Sequence, residues 1–229
     1  MIIIRKRGVT ITELLVAISV MGIMFSMIVA ITILTKRSYV EEENRSAMQQ
    51  NAALALSKLT RELMESSYKT TTIYNPADTD SPTGIIFASA RNISDNNRFD
   101  LDPNTGQCIW HKYVCYYIST ETESVGQKAL YRRETYINDP TGTTLIQPSS
   151  LGINNFVTGG TGYSPSVIIA HRVEDLDFPG LPSGPLTPSQ IGDKLLKISL
   201  KLGERPPGGT DPNSLRNGMI ITFSMNLSN

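Results

Sequence analysis

The chain has 229 residues with 21 basic and 21 acidic side chains, 7% aromatic content and two cysteines, Cys108 and Cys115. That length allows one domain, or one domain with an appendage, and enough chain to bury a substantial core. The balanced charge excludes a basic field for nucleic acid, so no nucleic-acid partner is expected, and two cysteines are too few for a disulfide scaffold.

Charge is unevenly placed at the start. Arg5, Lys6 and Arg7 precede Gly8, which leaves 18 bases against 21 acids in the rest of the chain. From Leu14 to Leu34 run 21 residues with neither charge nor proline. As a helix they would span roughly 31 Å, close to the hydrocarbon thickness of a bilayer. Ser19, Gly22, Ser26 and Thr32 interrupt the run with small side chains that a membrane helix tolerates and that allow close helix approach. The preceding bases put the N-terminus in the cytoplasm and everything after Lys36 across the membrane.

A cleaved secretory signal fits poorly, because the run is too long and residues 35–45 (TKRSYVEEENR) offer no Ala-x-Ala site. An uncleaved signal anchor accounts for the bases and the run but not for Gly8 or Glu13. A carboxylate at the centre of a membrane helix costs about 2.5–3.5 kcal/mol and less near the interface. Glu13 is therefore tolerated at the edge of the run without being explained.

The segment RKRG–VTITELLVAISVMGIM resembles the N-terminus of type IV prepilins and pseudopilins: a short basic leader ending in glycine, then an apolar helix with glutamate at its fifth mature residue. The resemblance implies cleavage between Gly8 and Val9 by a prepilin peptidase and N-methylation of Val9. It also gives Glu13 a role in assembly, neutralising the new α-amine on its own or a neighbouring chain and so fixing axial register. An unpaired charge in a low-dielectric bundle is expensive, and a one-turn slip would leave both bare. Two departures stand out. Val9 replaces the family's common phenylalanine, and no proline occurs before Pro76.

Beyond Leu34 the pattern of a helix continues. Ala52, Leu56, Leu59 and Leu63 share one face, and Gln50, Ser57, Arg61 and Glu65 lie away from it. This predicts an amphipathic helix ending near Ser66–Ser67. A continuous helix from Val9 to Ser67 would be roughly 88 Å long, natural for a filament subunit.

After residue 70 the chain reads as strands: TTTIY, Gly84–Ala90, Cys108–Ser119, Ala129–Tyr136, and Ser166–Arg172 running into Val173–Phe178. Leu196, Ile198, Leu200 and Leu202 alternate with Lys197, Ser199 and Lys201; Ile221, Phe223, Met225 and Leu227 alternate with Thr222, Ser224 and Asn226. Residues 203–218 (GERPPGGTDPNSLRNG) between them predict a long loop. One helix against an antiparallel sheet is an α+β architecture. The order YYIS, ALYRRE, HRVEDLDF, KLLKISLKL is similar to the body of J/W-type minor pilins and pseudopilins.

Outside the cytoplasm Cys108 and Cys115 are expected to pair. One straight strand would hold them about 23 Å apart, so pairing requires residues 109–114 to turn back. Asp100, Asp102, Asn104 and Gly106 (DLDPNTG) look superficially like a calcium loop. The glycine comes one place late and no glutamate follows at the required spacing, so the segment reads as a solvated turn. Some pseudopilins bind calcium, which leaves it the one cofactor the resemblance admits. His111 and His171 have no neighbours at metal-ligand or triad spacing, no metal site is expected, and VTGGTGYS lacks the lysine of a phosphate loop.

The expected organisation is a leader at 1–8, a transmembrane and filament-core helix at 9–34, its amphipathic continuation at 35–67, and an extracytoplasmic β-rich domain at 68–229. The resemblance implies a minor pilin or pseudopilin of the bacterial inner membrane, single-pass and not an enzyme. It would help prime or cap a type IV pilus or type II secretion pseudopilus. Its partners would be the prepilin peptidase, other pilins or pseudopilins, and the inner-membrane assembly platform. The alternative is a membrane-anchored extracytoplasmic enzyme or ligand-binding domain with an uncleaved anchor.

Overall fold

The computed structural model describes residues 10–75, 82–92, 98–121, 127–137, 148–191, 195–204 and 216–226. The chain divides into two compact units, Met1–Ala47 and Met48–Asn229. The elements are α1 (Ile11–Met64), β1 (Thr72–Asn75), β2 (Gly84–Ser89), β3 (Arg91–Asn92), β4 (Arg98–Phe99), β5 (Lys112–Thr120), β6 (Lys128–Tyr136), α2 (Ile153–Thr158), β7 (Val167–His171), β8 (Val173–Asp177), β9 (Gly184–Leu186), α3 (Pro188–Ile191), β10 (Leu195–Glu204) and β11 (Arg216–Asn226). The architecture is α+β, as the sequence predicts.

In the first unit, α1 is apolar and long enough to cross a membrane, and none of its apolar window is buried. Its hydroxyls are satisfied internally. Ser19 donates to the Leu15 carbonyl at 2.9 Å, Ser26 to Gly22 at 2.6 Å and Thr32 to Ile28 at 2.8 Å. A hydroxyl bonded back to the preceding turn presents little bare polarity to hydrocarbon.

In the second unit, α1 turns an apolar face inward. Met48, Ala52, Ala55, Leu56, Leu59 and Leu63 are buried, while Gln50, Ser57 and Arg61 are exposed. The predicted buried face is the observed one, and the helix stops at Met64, within a turn of the predicted end; Glu65, expected to lie away from that face, is half-buried beyond the helix end and paired with Arg91. The α1 residues from Ala52 to Leu63 pack with Ile73, Ile85, Phe87, Val114, Tyr116 and Leu130 from the sheet. Full burial of each leucine stabilises the seat by about 1.5–3 kcal/mol.

The main sheet has six strands in the order β7-β6-β5-β2-β1-β9, every pairing antiparallel. Its two faces bury alternate residues. Ile85 and Phe87 of β2, with Val114, Tyr116 and Ile118 of β5, lie on the α1 side. Ile86, Ala88, Tyr113, Cys115 and Tyr117 lie on the other, with Ile153 and Phe156 of α2. Cover on both faces explains why all six residues of β2 are buried. Gly84 is required by packing: a Cβ there would stand 2.5 Å from the Tyr116 carbonyl oxygen and 2.7 Å from Ile153 Cδ1.

A second antiparallel sheet, β11-β10-β8, closes the α1-side core. The run from β7 into β8 breaks at Arg172, whose φ of 58° lies in the left-handed region, and the two strands join different sheets. In β10 the predicted alternation holds, with Leu196, Ile198, Leu200 and Leu202 buried. Among residues 219–225 of β11, whose side chains are described, only Met225 is buried; Ile221 is half-buried and Phe223 is 37% exposed. Leu227 lies outside the described residues. The predicted loop is shorter than expected at both ends, because β10 runs to Glu204 and β11 begins at Arg216. The rest of it, 205–215, lies outside the described residues.

Candidate functional site

Of the residues that sequence reasoning singles out, Glu13 belongs to the first unit and Cys108 and Cys115 belong to the second. Gly8 and Val9 lie outside the described residues. Glu13 closes the first turn of α1. Its Oε2 accepts hydrogen bonds from the Thr10 backbone N–H at 2.9 Å and the Thr10 hydroxyl at 3.1 Å. The Glu13 N–H donates back to Thr10 Oγ1 at 3.3 Å. This reciprocal capping box satisfies two of the donors that any helix start leaves open. The signal was present in the sequence as Thr10-Ile11-Thr12-Glu13, the Thr-x-x-Glu spacing ahead of an apolar run.

A second constellation ties α1 to the sheet, and local sequence gave no hint of it. Glu62 Oε2 accepts from the Tyr116 hydroxyl and from Arg132 Nε, each at 2.9 Å. Arg132 also pairs with Glu134, which takes Lys112 Nζ at 3.1 Å. One turn on, Glu65 pairs with Arg91. Burial alone would raise the Glu134 carboxyl, but Arg132 and Lys112 outweigh it and hold it below its ordinary range. Burial, then the nearby Glu62 charge, pushes the Tyr116 phenol far up, so it stays a donor. The arrangement is a chain of mutually satisfied charges that fixes α1 against β5 and β6.

Beside it an apolar groove of about 600 Å³ runs between α1 and β11, lined in part by Leu56, Thr60, Met64, Ile221, Thr222 and Phe223. The Thr60 hydroxyl is buried there with no hydrogen-bond partner among the described residues.

The cysteine expectation is corrected. Cys108 and Cys115 are free. The predicted strand from Cys108 to Ser119 is instead β5 from Lys112, with Cys108 outside it in an isolated bridge to Leu101. Cys115 sits within an unbroken β5, opposite Ile86 and Arg133, so the reversal that pairing demands is not made. Burial pushes both thiols up, Cys115 the more strongly. In the acidic turn, Asp102 accepts from the Asn104 N–H at 2.9 Å and the Thr105 hydroxyl at 2.7 Å. Those bonds, the Thr105 one foremost, lower its pKa; its carboxylate serves the turn.

Each histidine meets a carboxylate distant in sequence: His111 Nε2 lies 2.9 Å from Asp100 Oδ2, and His171 Nδ1 lies 3.0 Å from Glu121 Oε1. Spacing could not reveal the His171 contact, made across 50 positions. Among the described residues no group of three His, Cys, Asp or Glu side chains is placed to hold a metal ion. Compared with family models, curated proteins and solved structures, the chain has no match.

Proposed function

We propose that the chain is a type IV pilin-like filament subunit, most like the J/W-type minor pilins and pseudopilins. One observation carries the reading: α1 has an apolar half that nothing in the described structure buries and an amphipathic half seated on an antiparallel sheet. A helix apolar all round must be covered by lipid or by other helices. A filament of such helices gives that surface a use once the anchor leaves the bilayer. The basic leader, Gly8 and Glu13 supply the rest of the motif.

On this reading the prepilin peptidase cuts after Gly8, Val9 is methylated, and the chain passes from the inner membrane through an assembly platform into a pilus or pseudopilus. There it works beside other minor subunits in priming or capping, as a structural component and not as an enzyme. Mass spectrometry of the N-terminus tests this. A mature chain starting at Val9, with or without methylation, is the expected result; an intact Met1–Gly8 in cells with active peptidase overturns it.

Two observations favour the second reading, an anchored extracytoplasmic enzyme or ligand-binding domain. The capping box gives Glu13 a use that needs no cleavage, and the α1–β11 groove offers a cavity of ligand size. The intact N-terminus is the result this reading expects.

A further inference from the structure

The α1-side core is sealed under β10 and left open under β11. Ile198 and Leu200 of β10 stand opposite Phe223 and Ile221 of β11 across the ladder, on the same face of the sheet. Ile198 and Leu200 are fully buried, whereas Phe223 is exposed and Ile221 half-buried. That uncovered pair lines one side of the groove, and Leu56 and Met64 of α1 line the other. β11 is also the outer strand of its sheet, paired with β10 alone among the described strands. Edge strands are ordinarily blunted by shortness, charge, proline or a bulge. From Met219 to Asn226, β11 has no charge and no proline, and its register with β10 runs without a break. Its outward N–H and C=O groups therefore stand in a row beside an apolar trough. Two polar groups complete the groove. The Thr60 hydroxyl is buried with no hydrogen-bond partner among the described residues. Arg61 is exposed and makes no ion pair among them, while Glu65, the carboxylate that lines the groove, is taken by Arg91.

We propose that the free edge of β11 takes an extended segment of another protein as a further β-strand, with alternate side chains that are apolar and fill the groove and one carboxylate among them that meets Arg61. Each element of that chemistry answers one feature of the site. Main-chain hydrogen bonding along a strand edge selects a polypeptide, and side-chain pockets at every second position select its sequence. A cation with no acid of its own selects a negative charge.

Other occupants match less of the site. A fatty acyl chain would fill the groove and bring a carboxylate, but would leave the row of β11 amides to water. A second copy's β11 would pair with those amides but brings no acid, since that strand has no acidic residue. Every residue of the site lies in Met48–Asn229, so strand addition goes beyond the filament-subunit reading and does not rest on it.

The test uses the full chain in phosphatidylcholine nanodiscs and an array of end-capped synthetic peptides of about nine residues, roughly 30 Å long as strands. Each peptide alternates threonine with valine, isoleucine or leucine, and one apolar position, moved along the peptide in turn, is replaced by glutamate or lysine. Binders should favour glutamate over lysine at one place, and Arg61→Glu should invert that preference. Met64→Glu, a change at an exposed position of the groove wall, should weaken binding by about tenfold or more, because the added charge must be desolvated. The best binder is then N-methylated on alternate amides. Methylating the set that faces β11 should abolish binding, and methylating the intervening set should leave it. The absence of binders, an equal response to the two methylated sets, or indifference to Met64→Glu overturns strand addition. Oleate binding without peptide binding makes the groove a lipid site, and self-association abolished by Met64→Glu makes it an interface between copies; either result also overturns it.

Discussion

Glu13 acts in the described structure as a hydrogen-bond acceptor, and the filament-subunit reading adds a second, separable role for its charge. Glutamine at the third position of a capping box can still accept from the Thr10 N–H, so Glu13→Gln keeps the helix start and removes the charge; Glu13→Ala removes both, and loss of a cap costs about 0.5–2 kcal/mol. If the charge neutralises an amine, both variants should be cleaved after Gly8 yet recovered poorly in sheared filaments. Normal recovery of Glu13→Gln would leave the cap as the whole role. The cysteines give a second residue-scale prediction. Denatured without reductant, the chain should react with a thiol reagent at both free positions, and in the native state buried Cys115 should react far more slowly than half-buried Cys108. The expected disulfide failed for a local reason: the expectation rested on an oxidising compartment, whereas the β5 ladder holds Cys115 in place against two neighbouring strands. The cap of Thr10 and Glu13 had a spacing signal that the sequence reading passed over; Glu62, whose partners are 54 and 70 positions away, had none.

At the scale of elements, the seat of α1 on the sheet is the contact most legible in sequence. Period 3.6 in Ala52, Leu56, Leu59 and Leu63 named the buried face, and period 2 in β10 named the strand opposite. β11 obeys the same alternation but lies on the edge of its sheet beside the groove, so its apolar side is only partly covered. Leu59 is 1% exposed, so Leu59→Ala should destabilise the body by about 2–5 kcal/mol in urea unfolding of the detergent-solubilised chain. The charge chain adds a pH dependence whose sign is fixed by Glu134. Its folded pKa lies below the ordinary 4.5, so the stabilisation is fully present above that value and is lost as pH falls through the folded one. Glu134→Gln should therefore cost about 1.5–3 kcal/mol at neutral pH, since Lys112 and Arg132 lose a charged acceptor. The deficit should shrink towards zero as the pH is taken from neutral down through the folded value, where the native carboxyl protonates too. An equal deficit at both pH values would mean the glutamate acts through packing and not through charge.

At the scale of the whole molecule, the buried core and the exposed apolar run draw on different parts of the sequence. No described residue before Met48 is buried, and every residue of the two hydrophobic clusters comes after it. The 182 residues of Met48–Asn229 are an ordinary size for a domain that folds by itself. A chain beginning at Lys36 should therefore be soluble without detergent and unfold in a single cooperative transition. Its free energy of unfolding should fall within about 0.5 kcal/mol of the body of the full chain, the usual reach of changes at exposed positions. Its urea slope should match as well, because that slope follows the surface exposed on unfolding and the removed segment buries none. A shallower slope or a non-cooperative transition would mean that residues before Lys36 help to hold the body together. On the filament-subunit reading, such coupling would oblige the chain to refold its body on leaving the bilayer, whereas independence would let it exchange lipid for neighbouring helices and keep its sheets, the Glu62–Arg132 tie and the α1 seat unchanged.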